Sequence, residues 1–326
     1  MTGILAGCTV QGSDKEQSCT KNTFAMDTVM QFTAYGEKSE AAVDAAIEEV
    51  NRLDGLLSTG SPSSEVSRIN REGQGMLSDD TGSLLESAMT YYEETGGLFD
   101  FTIYPLMKLW GFTTKEYYVP SEEELRETLG LVDAGRVTTD GTTVTLGEGQ
   151  EIDFGGIAKG YTSARVMEIF REYGVAHALV SLGGNVQTLG TKPDGSRWRI
   201  GIQDPDSTRG ATLAVVSVED QAVVTSGGYE RYFEQDGTTY IHIVDPRTGY
   251  PVKGDLVSVT IVSRDGTMAD ALSTSLYIMG LEDAEDYWRE HREEFDCVLL
   301  TTDGEFYVSK GLEEYFQSEQ KSSIFE

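Results

Sequence analysis

Apolar residues recur every three or four positions in several stretches of the chain, a spacing that places them on one face of an α-helix. The clearest stretch runs from Glu40 to Leu57. Its apolar members are Val43, Ile47, Val50, Leu53 and Leu57. The same spacing predicts helices over about 79–95, 267–280 and 281–292.

Between these helices, apolar and polar residues alternate over short runs, which indicates β-strands. Residues 24–36 are predicted to form one strand, and residues 136–146 a hairpin that turns at Asp140-Gly141. Residues 151–180 predict a strand, a glycine pair, a helix and a further strand. Because strands and helices do not alternate strictly, the pattern favours an α+β fold with helices packed on a largely antiparallel, mixed sheet.

The domain organisation predicted from this pattern is simple. We expect one catalytic domain over 23–316. Residues 1–22 are interpreted as the remnant of a lipoprotein signal followed by a polar tether, and residues 317–326 as a polar C-terminal tail.

Composition and charge narrow the function classes. The chain has 326 residues, of which 39% are hydrophobic, enough to bury a sizeable core. Its formal net charge is −30. A surface of this sign repels phosphate backbones and anionic headgroups, so we expect no nucleic-acid partner and no membrane binding through a basic patch. An anionic ligand must therefore be attracted locally, by backbone amides, a helix N-terminus or a bound cation.

The three cysteines, Cys8, Cys19 and Cys297, are too few for a disulfide framework and have no metal-ligand spacing. Cys8 ends a Leu-Ala-Gly-Cys sequence at residues 5–8, which is typical of a bacterial lipobox, and a polar stretch follows. We expect an extracytoplasmic protein that is anchored to the membrane only by lipid on Cys8. The alternative is a chance match near the terminus.

The strongest chemical signal is the segment 151–161, where a predicted strand passes through Gly155 and Gly156 into an amphipathic helix. The amides at a helix N-terminus and the helix dipole favour an anion such as a phosphate. Lys159 adds a positive charge in the first turn. The alternative is a glycine pair that serves packing, beside a solvated lysine.

A second signal is the pair Asp270 and Thr274, which are four residues apart and share a face of the predicted helix. One carboxylate and one hydroxyl form the sparse set of hard oxygen ligands that Mg²⁺ accepts. The alternative is structural, since an acid in a first helical turn favours the dipole and a helical threonine often bonds its own backbone.

A third signal is His242, which precedes an Asp-Pro-x-Thr-Gly turn at the end of a predicted strand. A histidine there could titrate near neutrality and act as a general base toward a hydroxyl. The alternative is a satisfied polar residue at a sheet edge. Two further Gly-rich turns, 181–185 and 225–229, are weak signals of close backbone approach to a ligand.

Taken in order along the chain, these motifs resemble the ApbE family. They are Met26-x-Thr28, Leu57-Ser58-Thr59, Gly96-Gly97-x-Phe99-Asp100-x-Thr102, Asp153-x-Gly155-Gly156-Ile157-Ala158-Lys159-Gly160, Ser181-x-Gly183-Gly184-Asn185, Thr225-Ser226-Gly227, His242-x-x-Asp245-Pro246-x-Thr248-Gly249 and Ala269-Asp270-Ala271-x-Ser273-Thr274. The resemblance covers Phe24 to about Val308. It implies a T-fold-like catalytic domain and FAD:protein FMN transferase activity, often in a lipoprotein.

The resemblance also implies roles for individual residues. Asp270 and Thr274, with Ser273 and the carbonyl of Ala158, match the family's metal ligands, and His242 matches its proposed base. The positions that line the FAD pocket are matched by Met26, Leu98, Phe99, Asp100, Gly155, Lys159, Tyr161 and Val244. Gly60 departs from the pattern, because several members carry an aromatic ring there over the bound nucleotide.

The activity implied is cleavage of FAD with Mg²⁺, or Mn²⁺ as an alternative. FMN would be attached through a phosphodiester to a Thr or Ser of a partner protein, for example a redox-pump or electron-transfer subunit, with release of AMP. Two other functions remain open. One is an FAD pyrophosphatase that uses water in place of the protein hydroxyl, and the other is a flavin-binding lipoprotein without turnover.

Overall fold

The computed structural model describes residues 17–205 and 211–326. Cys8 and the lipid anchor predicted on it lie outside the described residues. Within those two ranges, no helix combines the length and the apolar character needed to cross a membrane.

Eight α-helices occur in the described ranges. They are α1 (Ser39–Leu57), α2 (Glu65–Glu72), α3 (Asp79–Glu94), α4 (Tyr104–Leu109), α5 (Glu122–Leu129), α6 (Ala158–Glu172), α7 (Gly266–Met279) and α8 (Leu281–His291). The helices predicted from apolar spacing are confirmed as α1, α3, α7 and α8. At the start of α2, the Ser64 hydroxyl accepts a hydrogen bond from the Ser67 amide at 3.0 Å, which caps the helix.

The strands of residues 17–205 and 211–326 form one large sheet and three small ones. The strands are β1 (Ser18–Ala25), β2 (Thr28–Tyr35), β3 (Gln74–Met76), β4 (Thr138–Thr139), β5 (Thr143–Thr145), β6 (His177–Leu182), β7 (Asn185–Leu189), β8 (Trp198–Gln203), β9 (Thr212–Val218), β10 (Ala222–Gly227), β11 (Tyr232–Gln235), β12 (Thr238–Ile241), β13 (Leu256–Ser263), β14 (Asp296–Thr301), β15 (Phe306–Ser309), β16 (Phe316–Ser318) and β17 (Ser322–Phe325). The large sheet has the order β1-β2-β6-β7-β10-β13-β14-β15-β17. Its neighbours are antiparallel except β15 and β17, so the predicted α+β fold with a largely antiparallel sheet is confirmed.

Each face of the large sheet has its own cover. On one face, α1 and α6 bury side chains such as Val50 and Phe170 against Phe32 of β2. Farther along the same layer, α7 packs against β10 and β13. On the other face, a three-stranded sheet of order β16-β9-β8 packs Val216 against Val223. Strand residues alternate between the two covers, as period-2 geometry requires.

The single strand predicted over 24–36 is wrong, because the chain turns in its middle. Met26 and Asp27 have positive φ values of 47° and 59°, and β1 and β2 pair on either side of them. Two such residues make the tight hairpin loop that usually contains glycine or asparagine. A methionine gave no turn signal, so the sequence pattern was continuous.

The strand predicted at the start of 151–180 is also wrong. The segment before α6 pairs with no strand, and its backbone bonds instead to a side chain and to a loop. The Asn70 carboxamide donates to the Ile152 carbonyl at 2.8 Å and accepts from the Ile152 amide at 2.7 Å. The Asp153 amide donates to the Phe101 carbonyl at 2.8 Å. Helix α2 and the loop at Phe101 are thereby tied to the segment that precedes α6.

The C-terminal residues differ from the predicted polar tail. β17 pairs in parallel with β15 at the edge of the large sheet. Phe325 is buried and lies edge-on to Trp288 of α8, with ring centroids 5.0 Å apart. The described fold thus begins at β1 and ends at β17, wider than the predicted 23–316. Only one of the four residues of β17 is buried. The sequence therefore has no alternation of apolar and polar residues there from which a strand could be predicted.

Candidate functional site

A cleft of about 1560 Å³ opens where the N-terminal end of α6 and one face of α7, from Asp270 to Ile278, meet β10 and the β1–β2 and β6–β7 turns. It collects most of the residues singled out from the sequence. Those that line it are Met26, Gly60, Leu98, Phe99, Asp100, Gly155, Ala158, Lys159, His242, Val244, Asp270 and Thr274. Residues from distant parts of the chain are therefore brought to one place, as a single site requires.

The two helices of the site touch backbone to backbone at a glycine pair. A Cβ atom added to Gly160 of α6 would lie 2.0 Å from the carbonyl oxygen of Gly266 in α7 and 2.8 Å from the Cβ of Asp270. No side chain fits in that space. The close approach lets the Gly160 amide donate to Asp270 Oδ2 at 2.9 Å. It places the Asp270 carboxylate against the first turn of α6.

Side-chain oxygens of α7 and β10 line the cleft at Asp270, Thr274 and Ser226, and we call these three side chains the oxygen cluster. Asp270 is only 4% exposed, and Lys159 Nζ lies 3.6 Å from its Oδ1. The Ser226 hydroxyl of β10 lies 2.8 Å from Ser273 Oγ and 3.2 Å from Thr274 Oγ1. Carboxylate and hydroxyl oxygens are hard ligands of the kind that Mg²⁺ accepts. The donor chemistry therefore fits the cation site expected at Asp270 and Thr274.

The charge of the cleft also fits a bound cation. Six carboxylic acids line it, on Asp27, Asp54, Asp100, Asp153, Glu230 and Asp270, against three basic side chains, Lys115, Lys159 and Arg231. Burial is the main cause that raises the pKa of Asp54, Asp100 and Asp153, which weakens part of this negative charge. An anionic ligand still meets more acids than bases. In the described ranges no three His, Cys, Asp or Glu residues form a metal-binding group.

His242 has a defined tautomer. Its Nδ1 lies 3.1 Å from the Arg231 carbonyl oxygen, to which the His242 amide also donates, at 2.9 Å. A carbonyl can only accept, so Nδ1 carries the proton and Nε2 has a free lone pair. Burial, followed by the positive charges of Arg231 and Lys159, lowers the pKa of His242 to about 4. The ring is neutral at pH 7 and can accept a proton.

The glycine pair before α6 differs from the free anion site that its sequence predicts. The Gly155 amide already donates to Asp153 Oδ1 at 2.8 Å. Lys159 Nζ lies 3.4 Å from the Gly155 carbonyl oxygen. Gly156 packs closely on Phe99, since a Cβ there would lie 3.2 Å from the ring. An anion must share the Gly155 amide with Asp153 or displace it.

Asp100 holds loops together as well as lining the cleft. Its Oδ1 accepts from the amide and hydroxyl of Thr102 at 2.7 and 2.6 Å, and its Oδ2 accepts from the Ala134 amide at 3.2 Å. The carboxylate is thus largely satisfied by protein groups. Its contribution to a ligand is to fix the shape of the wall at 98–102.

Two of the predicted site residues do not line the cleft. Tyr161 points away, and its hydroxyl donates to Asp80 Oδ1 at 2.8 Å, which ties α6 to α3. Ser273 is fully buried and donates to the Asp270 carbonyl at 2.8 Å. Both residues support the elements that carry the site. Ser273 reaches the oxygen cluster through Ser226.

The structure gives importance to three cleft residues that had no role assigned from the sequence. Ser226 and Asn185 lie in the two Gly-rich turns that were weak signals, and they gain importance only from their neighbours in space. Arg231 follows a short 3₁₀ turn and has no motif around it. Its carbonyl orients His242, a role that no residue pattern announces.

Known proteins resemble this chain over most of its length. The family model described as "ApbE family" matches residues 26–299. A Klebsiella pneumoniae protein named FAD:protein FMN transferase is 35% identical over 276 residues, which cover 83% of this chain and 85% of that protein. A Treponema pallidum protein of the same name is 33% identical, covering 92% of this chain and 89% of its own length.

Solved structures give the same picture. The ApbE protein from Thermotoga maritima superposes with a TM-score of 0.86 at 32% identity, covering 92% of this chain and 99% of that one. The flavin transferase ApbE from Vibrio cholerae gives a TM-score of 0.83 at 26% identity, covering 92% and 100% of the two chains.

Proposed function

This chain belongs to the ApbE family, and we propose that it cleaves FAD with Mg²⁺ or Mn²⁺, attaches FMN to a Thr or Ser of a partner protein and releases AMP. The chain is an enzyme, a flavin transferase. The metal, the acceptor hydroxyl and the leaving group are the parts that we propose.

The observation that carries the proposal is the meeting of an acid, hydroxyls and a neutral histidine in one cleft. Asp270 and Thr274 offer oxygen ligands, and the carbonyl of Ala158, which accepts from Thr162 Oγ1 at 2.7 Å, lies at the start of the adjoining helix. These residues would hold Mg²⁺, with Ser273 behind them. When bound, the ion would neutralise charge on the FAD pyrophosphate and on the departing AMP.

The protein's own side chains supply the remaining steps. Lys159 and Arg231 attract the pyrophosphate against the acidic surroundings. His242 Nε2 removes the proton from the acceptor hydroxyl, whose oxygen attacks the phosphorus on the FMN side. The bond from that phosphorus to the bridging oxygen breaks, and AMP leaves with that oxygen. The products are a phosphodiester-linked FMN and AMP.

Replacing His242 with Ala is expected to lower FMN transfer by about 10²-fold, the usual loss when a general base is removed. The low pKa of His242 keeps the ring unprotonated, so the acid limb of kcat/KM should fall near pH 4, below the value of 6.5 for an ordinary histidine. Transfer rates over pH 4–8 would check both points. His291→Ala, outside the cleft, is the control, and an equal loss in it would contradict the assignment.

A Tyr at position 60 is expected to strengthen FAD binding. Gly60 has no positive φ, and a Cβ there would meet only Ser58 Oγ within 4 Å, at 3.7 Å. A ring can therefore be placed over the cleft, and one aromatic contact contributes about 1 kcal/mol, or roughly a fivefold lower Kd. Flavin fluorescence titration measures it. Gly254→Tyr, in an exposed loop outside the cleft, is the matched control and should leave the Kd unchanged.

The proposed reaction is tested by incubating the chain with FAD and Mg²⁺, with and without a peptide that carries an Asp-Gly-x-Thr-Gly-Ala-Thr sequence. AMP release together with an FMN adduct on the peptide supports the transferase. Release of AMP and free FMN, whether or not peptide is present, shows a pyrophosphatase. FAD that stays intact and bound in every tube shows a flavin-binding protein.

We also propose that the protein acts outside the cytoplasm, held to the membrane by lipid on Cys8. The support is the lipobox-like sequence at residues 5–8 and the polar stretch after it. Mass spectrometry of the membrane fraction should find a lipid adduct at Cys8 and none in Cys8→Ala. An unmodified Cys8 in protein isolated from cells would contradict the anchor.

A further inference from the structure

One arm of the cleft has no assigned part in binding FAD or the metal ion. It lies between the β6–β7 turn and β10, and it reaches the edge strand β8. β7 pairs with only the first two residues of β10, at Ala222 and Val223. β10 continues to Gly227, paired along its whole length with β13 on the other side. Residues 224–227 all line the cleft. The edge of β10 that faces away from β13 is therefore unpaired over these residues and accessible to a ligand in the cleft.

A buried carboxamide stands beside this open edge. Asn185, the first residue of β7, is 2% exposed and lines the cleft. Neither its Oδ1 nor its Nδ2 has a hydrogen-bond partner in the described structure. Gln187, two residues along the same strand, differs, because its Oε1 accepts from Ser163 Oγ at 2.6 Å. Buried polar groups without partners are rare and costly, so a carboxamide of this kind in a cleft lining points to a polar group bound there.

The chemistry of the carboxamide selects the ligand class. One donor and one acceptor side by side match a peptide group, which offers a carbonyl and an N–H. A phosphate would satisfy only the Nδ2 side. The open strand edge also favours a peptide, since its backbone N–H and C=O groups pair with an added extended segment.

The register between β7 and β10 places this arm next to the oxygen cluster. Val186 pairs with Val223, so Asn185 lies one strand across from β10 and about two residues from the level of Ser226. With roughly 3.3 Å per residue and about 4.8 Å between strands, the separation is about 8 Å. The Ser226 hydroxyl contacts Thr274 of the oxygen cluster. A hydroxyl on a segment bound here would lie at that cluster.

We propose that the acceptor protein binds in this arm as an extended segment, paired with the open edge of β10 at 224–227 and held at one peptide group by the Asn185 carboxamide. The proposal rests on the proposed function, because it assumes that a protein hydroxyl receives FMN. The acceptor hydroxyl would enter the site through this arm of the cleft.

The test measures peptide and FAD binding separately. A fluorescein-labelled 12-residue peptide with the acceptor Thr is titrated with the full chain and followed by anisotropy, and FAD is titrated by flavin fluorescence. Asn185→Ala should raise the peptide Kd about tenfold, the effect of losing one or two neutral hydrogen bonds, and leave the FAD Kd within about twofold. Asn185→Asp, which keeps the shape but loses the donor, should also weaken the peptide.

Gln187→Ala is the matched control, a buried amide of the same strand that does not line the cleft. It should lower the melting temperature without changing the peptide Kd. A peptide N-methylated on alternate backbone amides should bind at least about tenfold more weakly than the parent peptide if it pairs with β10.

Other outcomes overturn the proposal. An unchanged peptide Kd in Asn185→Ala removes Asn185 from the subsite, and a shift confined to the FAD Kd assigns the carboxamide to the flavin instead. Equal losses of both affinities with a lower melting temperature show a structural role. If the wild-type chain binds the peptide but transfers no FMN, the proposed function fails while the subsite stands.

Discussion

Replacing Asp270 with Ala is expected to abolish FAD cleavage, with a loss of at least about 10³-fold in rate. Asp270 is the carboxylate of the oxygen cluster, and a bound metal ion contributes several kcal/mol to this kind of transition state. With the carboxylate removed, Thr274 and the Ala158 carbonyl offer only neutral oxygens. AMP release from FAD at saturating Mg²⁺ measures the loss, and calorimetric titration with Mg²⁺ measures binding directly.

Asp270→Asn separates the charge from the fold. The amide oxygen can still accept from the Gly160 amide, as Asp270 Oδ2 does at 2.9 Å. This variant should melt within a few degrees of the wild type, yet bind Mg²⁺ weakly and turn over slowly. If either variant kept Mg²⁺-dependent AMP release at the wild-type rate, the metal assignment would be wrong.

Adding a single methyl group at Gly160 is expected to damage both stability and activity. The Cβ of Gly160→Ala would lie 2.0 Å from the Gly266 carbonyl oxygen, so α6 and α7 must move apart. Such overpacking costs about 1–3 kcal/mol. Because α6 carries Ala158 and α7 carries Asp270, their separation also displaces the proposed metal ligands from each other. A displacement of about 1 Å at a reacting centre costs roughly 10²-fold in rate.

Gly55→Ala is the matched control for that change. Gly55 lies in α1, has no positive φ and has open space around its Cβ position. Alanine there should raise stability by about 0.5–1 kcal/mol, because glycine is a poor helix former. Thermal unfolding of the two variants should therefore shift in opposite directions. A Gly160→Ala protein as stable and as active as the wild type would contradict the helix contact as described.

Much of the fold could be predicted from the sequence because several helices each bury one apolar face, which gives a regular spacing of apolar residues. The spacing of Val43, Val50 and Leu53 predicts α1, and all three are buried. The site residues were found through motif order, since no single motif was specific. Asp270 and Thr274 were paired by helical spacing alone, and the structure brings both to the cleft.

The remaining features depend on contacts between distant residues. The turn at Met26 has no glycine to announce it, and its positive φ is held by the pairing of β1 and β2. The backbone of Ile152 bonds to the side chain of Asn70, far away in sequence, and not to a strand. Asn185 without partners and the Arg231 carbonyl at His242 are likewise visible only in three dimensions.

The strand order of the large sheet has a consequence for biosynthesis. From β1 to β17, each strand of the large sheet lies beside the strand of the same sheet that comes before it along the chain. No strand has to insert between two that are already paired. On a ribosome, every newly emerged strand would meet a finished edge, so the sheet can lengthen in the order of translation. The candidate site forms late in this order, because the oxygen cluster is incomplete until α7 has been synthesised.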